Sequence, residues 1–203
     1  MKIDERVRKT VNLRLRQFSA FKDKSDREWF SELCFCILTA NSKASTAIKI
    51  HHELCPDGFC ESSLSRVRET IRKHKHRFHN NKAKFIVEAR KHLDVKPRIK
   101  KIVEEKGQKE AREWLVKNIK GIGYKEASHF LRNVGYFDLA ILDRHILNLM
   151  VEDGILKEKP RSLSKKVYLE IEKKFEKLAK QHRMSCAELD LYFWSMKTGI
   201  VLR

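Results

Sequence analysis

The sequence contains little glycine and proline and no long apolar segment. Its 203 residues include 7 Gly and 3 Pro, too few for a flexible tether, and it shows no internal repeat. No run of about 18 apolar residues predicts a membrane-spanning helix, and the N-terminus lacks the apolar core of a signal peptide. We therefore expect a cytoplasmic protein that makes no contact with membranes. A monomer is also expected, although the sequence leaves the oligomeric state open.

Cysteines are also few, and they form no recognisable framework. The five cysteines are Cys34, Cys36, Cys55, Cys60 and Cys186. Their spacing predicts no disulfide set for a chain of this size and compartment. A zinc site built from His51, His52, Cys55 and Cys60 would match no standard pair-of-pairs pattern. We expect reduced thiols, no metal and no cofactor.

Positive charge, in contrast, is abundant. The formal net charge is +18 and the pI is near 9.8, values that favour a polyanionic partner. Residues 66–101 alone hold fourteen Lys or Arg against three Asp or Glu. The alternative is the charged surface of a thermophilic protein, but such surfaces usually balance Lys with Glu. A basic face that follows a phosphate backbone is the better interpretation.

Hydrophobic periodicity predicts helices throughout and no convincing strand. Ser25 and Glu28 form a capping box before a run with the 3.6-residue period, and Ser185 with Glu188 repeats the pattern near the C-terminus. Pro97 is expected to open another helix. The predicted fold class is all-α.

One predicted helix pair is interrupted by two glycines. Apolar residues at helical spacing lie on both sides of Gly121 and Gly123, which predicts a helix, a tight turn and a second helix. Glycines allow close approach of a ligand, and the first amides of the second helix could bind a phosphate. On the glycine spacing alone, an ordinary glycine-capped hairpin is equally acceptable.

A lysine and an aspartate near this hairpin suggest chemistry. Lys125 lies in the first turn of the second helix, where the helix dipole favours its neutral, nucleophilic form; taken alone, a solvated lysine explains it as well. Asp143 fits an N-cap. If its carboxylate lies beside the lysine, it could accept the lysine's proton or stabilise positive charge on a sugar.

The segment GIGYKEA at 121–127, followed by Leu142 and Asp143, resembles the helix-hairpin-helix motif and catalytic aspartate of the endonuclease III superfamily of DNA glycosylases. The segments ILTAN at 37–41 and FHNNKA at 78–83 are similar to two further parts of that superfamily. The resemblance implies two helical subdomains with a DNA-binding cleft between them. Residues 29–134 would form a helical barrel carrying the hairpin, and residues 1–28 with 135–203 would form the second subdomain.

The last segment, DLYFWSMKTGIVLR at 190–203, resembles the tail of the short 8-oxoguanine DNA glycosylase/lyases. That resemblance implies that Trp194 stacks on the extruded base, although core packing would also explain this residue. It implies too that the last residue helps to distinguish 8-oxoguanine from guanine; the usual lysine is replaced by Arg203. Only Cys186 lies in the C-terminal third, so the four-cysteine iron-sulfur cluster of many superfamily members is not expected.

The resemblance implies that the chain excises 8-oxoguanine from double-stranded DNA and nicks the strand by β-elimination. Lys125 would form a Schiff base with the sugar, and Asp143 would assist departure of the base. The alternatives are a glycosylase of the same fold for oxidised pyrimidines or mismatches, and a non-catalytic DNA-binding module.

Further DNA contacts are expected from the hairpin glycines and from Lys82. Asn41 would fill the gap in the duplex or contact the opposite base, with capping of the next helix as the alternative. His145 would reach a phosphate, with a satisfied surface or core histidine as the alternative.

Overall fold

The computed structural model describes residues 4–198, and these residues form α-helices, 3₁₀ turns and loops without a β-strand. The all-α prediction is confirmed. The helices are α1 (Glu5–Ala20), α2 (Asp26–Thr39), α3 (Ala44–Leu54), α4 (Asp57–Glu61), α5 (Leu64–Lys73), α6 (His79–Ala89), α7 (Val95–Lys106), α8 (Gln108–Asn118), α9 (Tyr124–Asn133), α10 (Arg144–Glu152), α11 (Lys165–Gln181) and α12 (Cys186–Thr198). Within these residues no helix is both long and apolar enough to span a membrane.

The helices group into two compact units. The middle unit comprises Asp23–Phe130, and the terminal unit comprises the described parts of Met1–Lys22 and Leu131–Arg203. The division falls inside α9. The subdomain boundaries that the resemblance implies, at residues 29 and 134, stay a prediction.

Helix α2 is the core of the middle unit. All its residues from Trp29 to Thr39 are buried, which is the behaviour of a helix enclosed by other helices. It packs against α3, α4, α6 and α7. The edge of Trp29 meets Phe130 with 6.0 Å between ring centroids. The middle unit therefore packs these four helices, and the Phe130 ring of α9, around α2.

The terminal unit joins the first described helix to the last. Val11 and Phe18 on α1 form one apolar cluster with Leu191 and Tyr192 on α12. The end of α9 is attached to the same helix, because Arg132 Nη1 lies 2.5 Å from Asp190 Oδ2 and both side chains are buried. These contacts fix α12 within its unit.

Some helix starts follow the local rules of capping, whereas α3, α4, α6, α7 and α8 begin without a side-chain capping bond. Ser25 and Glu28 form the predicted capping box of α2, and the Ser185 hydroxyl accepts a hydrogen bond from the Glu188 amide at 3.1 Å. Helix α7 begins at Val95 after Asp94, two residues before Pro97, which was expected to open it. Pro97 lies within its first turn, where an absent N–H leaves no helical hydrogen bond unmade.

Candidate active site

The two-glycine segment forms the turn between α8 and α9. Gly121 has a φ of +84°, and a Cβ built on it would lie 2.5 Å from Cδ2 of Phe85. Both the backbone conformation and the lack of space exclude a side chain here. Helix α9 then starts at Tyr124, and the Ala127 amide donates to the Gly123 carbonyl at 2.9 Å. The helix, the tight turn and the second helix that the sequence predicts are all present.

Side chains on α8 hold the first turn of α9. The Tyr124 hydroxyl lies 2.6 and 2.7 Å from the two carboxylate oxygens of Glu113. The buried guanidinium of Arg112 lies 5.1 Å from the centre of the Tyr124 ring and 3.2 Å, at Nη1, from the Ser128 hydroxyl. These contacts orient the turn of helix that carries Lys125.

Lys125 lies in this first turn and is partly accessible. Its side chain is 27% exposed, and its Nζ lies 3.1 Å from Oε1 of Glu126. The other carboxylate oxygen of Glu126 accepts a hydrogen bond from the Gly123 amide at 3.3 Å. One carboxylate thus joins the lysine to the turn. A sugar can reach this amine from solvent.

Lys82, by contrast, is buried. Its relative exposure is 5%, and all the other Lys and Arg residues of 66–101 are exposed or partly exposed. Burial lowers the pKa of Lys82 from 10.5 to about 8; Glu126 opposes this effect and the charge of Lys125 adds to it. Lys82 therefore lies within electrostatic reach of the lysine in the turn.

Asp143 is the N-cap of α10, as predicted. Its Oδ1 accepts hydrogen bonds from the amides of His145 and Ile146, both at 2.8 Å. Within the side chains that the structure describes, those of residues 4–196, none donates a hydrogen bond to Oδ2. Two amides therefore fix the carboxylate in space and leave one oxygen for a reacting group.

The segment before Asp143 is fixed by α11. The Tyr168 hydroxyl donates to the Ala140 carbonyl at 2.7 Å and accepts from the Leu142 amide at 3.4 Å. Buried Glu172 accepts from the Ala140 amide at 3.1 Å. Side chains of α11 thus form hydrogen bonds with three backbone groups just before Asp143. These hydrogen bonds fix the position of the Asp143 backbone.

His145 and Trp194 lie side by side in the terminal unit. Their ring centroids are 5.2 Å apart, with 53° between the ring planes. Both side chains are partly exposed, and the stacking of Trp194 on an extruded base stays a prediction. The phosphate contact expected of His145 stays a prediction, and Arg203 lies outside the described residues.

This chain, with its hairpin lysine and its capped aspartate, is similar in sequence to proteins of known activity. The sequence matches the family model of 8-oxoguanine DNA glycosylase over residues 11–184. It is 45% identical to the 8-oxoguanine DNA glycosylase/AP lyase of Methanocaldococcus jannaschii, a match that covers 97% of this chain and 93% of the relative. The chain belongs to the 8-oxoguanine DNA glycosylase family.

Solved structures agree with membership of the 8-oxoguanine DNA glycosylase family. The structure of the Methanocaldococcus jannaschii 8-oxoguanine glycosylase/lyase in complex with a 15-mer DNA containing 8-oxoguanine is similar with a TM-score of 0.90 and 47% identity, covering 97% of this chain and 93% of that one. A non-covalent endonuclease III–DNA complex is similar with a TM-score of 0.56 and 19% identity, covering 96% and 86%. The second likeness shows a shared fold alone.

Within this family member, Asn41 does not cap the next helix. The N-cap of α3 is Lys43, which makes no side-chain capping bond, so the capping alternative is wrong. Asn41 is exposed and has a φ of +59°, a conformation that asparagine tolerates better than most residues. Its expected contact with DNA stays a prediction.

The cysteine and histidine residues weighed as zinc ligands do not assemble. His51 Nε2 lies 3.0 Å from the Ser31 hydroxyl, and Cys55 is exposed whereas Cys60 is buried. No group of three or more potential ligands occurs in the part of the chain that the structure describes. All five cysteines are free thiols.

Three residues that hold the segments carrying Lys125 and Asp143 were not predicted from the sequence. Glu126 could have been found, because Gly123-x-x-Glu126 has the spacing of a capping box. Tyr168 and Glu172 carry no comparable signal, since their contacts with residues 140–142 join positions far apart in sequence.

Proposed function

We propose that this protein removes 8-oxoguanine from double-stranded DNA and then cuts the strand at the exposed sugar. The observation that carries the proposal is the accessible Lys125 amine in the hairpin of a chain that belongs to the 8-oxoguanine DNA glycosylase family. The named activity of the relative, a glycosylase and AP lyase, supports both steps. The neighbour solved with 8-oxoguanine DNA supports the substrate.

DNA binding rests on charge and on the hairpin. Most of the cations in 66–101 are exposed, and each phosphate contact by such a cation releases condensed counterions. Gly121 and Gly123 allow a backbone phosphate to approach the start of α9. The damaged nucleotide is then rotated out of the stack, which costs a few kcal/mol. The extruded base stacks on Trp194, beside His145.

In the glycosylase step, the neutral amine of Lys125 attacks the sugar C1′. A C1′–N bond to the lysine forms while the bond from C1′ to the base breaks. The base leaves with the bonding electron pair and takes up a proton. Asp143 assists through Oδ2, either by accepting the proton of the attacking amine or by balancing positive charge on the sugar.

In the lyase step, the sugar ring opens and the nitrogen of Lys125 becomes part of a Schiff base with C1′. The Schiff base acidifies the 2′ position, so a proton is lost there and the C3′–O bond breaks. This β-elimination releases the downstream strand with a 5′ phosphate and so nicks the DNA on the 3′ side of the lesion. Water then hydrolyses the Schiff base and frees the lysine. Neither the glycosylase step nor the lyase step consumes an oxidant or a reductant.

Borohydride trapping tests the nucleophile. Borohydride reduces a Schiff base to a stable amine, so the wild-type protein should become covalently joined to DNA containing 8-oxoguanine. Lys125→Gln should form no adduct while retaining DNA binding. Lys120→Gln is the matched control, because Lys120 lies in the same turn but pairs with Glu88 at 2.9 Å, and it should still be trapped. An adduct with Lys125→Gln would refute the assignment.

A panel of lesion duplexes tests the substrate. Excision should be fastest on 8-oxoguanine. Faster excision of an oxidised pyrimidine or a mismatched base would favour the alternative glycosylase, and binding without any excision would favour a DNA-binding module.

We also propose that the protein acts in the cytoplasm as a single chain. Its proposed substrate is DNA, and its free cysteines suit a reducing compartment.

A further inference from the structure

The segment just before Asp143 is buried but belongs to no helix. The side chains of residues 140–142 are shielded from water, and within residues 4–198 there is no β-strand that could pair with their main chain. A buried main-chain amide or carbonyl that lacks a partner destabilises the folded protein. Another element must therefore supply the hydrogen bonds that a neighbouring strand would give.

Helix α11 supplies these hydrogen bonds from two residues one turn apart. Tyr168 and Glu172 lie four positions apart, so their side chains extend from the same side of α11, and both are buried. The Tyr168 hydroxyl donates to the Ala140 carbonyl at 2.7 Å and accepts from the Leu142 amide at 3.4 Å. Glu172 Oε1 accepts from the Ala140 amide at 3.1 Å. The two side chains therefore hold both polar groups of Ala140 and the amide of Leu142.

Asp143 is thereby held from both directions of the chain. Its own amide donates to the Ile141 carbonyl at 2.9 Å, which extends the bonded segment up to the aspartate. On the other side, the amides of His145 and Ile146 bind Oδ1 at 2.8 Å. The start of α10 orients the carboxylate, whereas α11 fixes the main chain that leads to it. The location of Oδ2 depends on both.

We propose that Tyr168 and Glu172 are positioning residues for departure of the base: through the main chain of residues 140–142 they hold Oδ2 of Asp143 beside the reacting sugar. This inference rests on the proposed function of Asp143. Both side chains are buried, so neither touches the DNA and each acts through the aspartate. A reacting group displaced by about 1 Å can lose about 10²-fold in rate.

Single-turnover excision of 8-oxoguanine at saturating DNA tests the proposal. Tyr168→Phe keeps the ring and removes the hydroxyl, so the excision rate should fall about 10- to 100-fold. The dissociation constant for the same DNA, measured by gel shift, should stay unchanged. Glu172→Leu removes the acceptor of the Ala140 amide and should also slow excision. Glu172→Gln keeps an oxygen at this position and should retain most of the wild-type rate.

The same substitution in an Asp143→Asn background separates positioning from a general structural defect. Tyr168→Phe should cause no further fall there, because the carboxylate that the hydroxyl positions is already gone. A general defect would lower the rate by the same factor in both backgrounds, and that result would overturn the inference. Tyr136→Phe is the matched control, since it removes the hydroxyl of another buried tyrosine in the terminal unit, and it should excise at the wild-type rate.

The outcomes distinguish the inference from the function on which it rests. An unchanged excision rate in Asp143→Asn would refute the role of the aspartate, and with it the inference. A slow Asp143→Asn variant combined with a wild-type rate in Tyr168→Phe would overturn the inference alone. If Tyr168→Phe does not fold, as judged by circular dichroism, the two Glu172 variants decide: equal excision rates in Glu172→Leu and Glu172→Gln would overturn the inference.

Discussion

Replacing Lys82 by methionine should stabilise the fold. The pKa of Lys82 falls from 10.5 to about 8 because the side chain is buried. Each pH unit of such a difference corresponds to about 1.4 kcal/mol, so holding the charge inside the folded protein costs about 3 kcal/mol at neutral pH. Methionine fills a similar volume without a charge. For a chain of this length, 3 kcal/mol corresponds to a rise in melting temperature of roughly 7 °C.

The sign of this effect depends on pH. Between pH 8 and 10.5 the unfolded chain binds more protons at Lys82 than the folded chain does, so the wild-type protein gains stability as pH rises through this interval. That gain is complete above pH 10.5 and is lost as pH falls through the folded pKa of about 8. The advantage of Lys82→Met should therefore be greatest at pH 7 and below, and it should shrink toward pH 10.

Urea unfolding of both proteins at pH 6, 7, 8, 9 and 10 would measure the difference. The control is Lys49→Met, which removes an exposed lysine from α3 and should change stability by less than about 0.5 kcal/mol. A Lys82→Met variant that is less stable than wild type, by an amount independent of pH, would refute the reasoning. It would show that the ammonium is compensated in the folded protein. The expected variant is instead more stable than wild type, by the largest amount at pH 7 and below.

Four further outcomes follow from the structure. Asp143→Asn keeps a capping oxygen, so DNA binding in a gel-shift assay should survive while base excision falls by about 10²- to 10⁴-fold; unchanged excision would remove the aspartate from the mechanism. Gly121→Ala should lower the free energy of unfolding by about 2–4 kcal/mol in urea, because its φ is +84° and its Cβ would lie 2.5 Å from the Phe85 ring; a neutral effect would mean that the ring moves away freely. Arg132→Met leaves Asp190 buried without its cation and should cost about 3–5 kcal/mol by the same measurement; a loss below about 1 kcal/mol would show that water reaches the carboxylate. The logarithm of the DNA-binding constant should fall linearly with the logarithm of salt concentration, and a flat dependence would contradict the basic face.

Local rules predicted most of the backbone. The capping box of Ser25 and Glu28 and the cap formed by Asp143 each involve residues two or three positions apart, and all of them are present. The turn at Gly121 follows from the special conformation that glycine allows. The family resemblance added the expected role of Lys125 as the nucleophile. Sequence spacing could not give this role, because Lys125 alone is indistinguishable from any solvated lysine.

The errors and omissions in the sequence-based interpretation concern contacts between distant segments. A lysine in a strongly basic stretch is usually exposed, yet Lys82 is buried because α6 packs on a hairpin that lies about 40 residues later. The position of Asp143 depends on Tyr168 and Glu172, which no short motif connects to it. Asparagine is a common N-cap residue, so Asn41 was a candidate for the cap of α3. The backbone at Asn41 is left-handed, however, and α3 starts after Lys43.

The pairing of α1 with α12 has a consequence for how the chain folds during its synthesis. The middle unit is one continuous segment and can pack as soon as it has left the ribosome. Helix α1 is made before it, but the residues that cover Val11 and Phe18 belong to α12. Roughly 165 residues separate the two helices, which is about 10–30 s of translation at usual rates. During that interval the apolar side of α1 lacks its final partner, so the nascent chain depends on its many charged residues, or on a chaperone, to stay unaggregated until the last helix arrives.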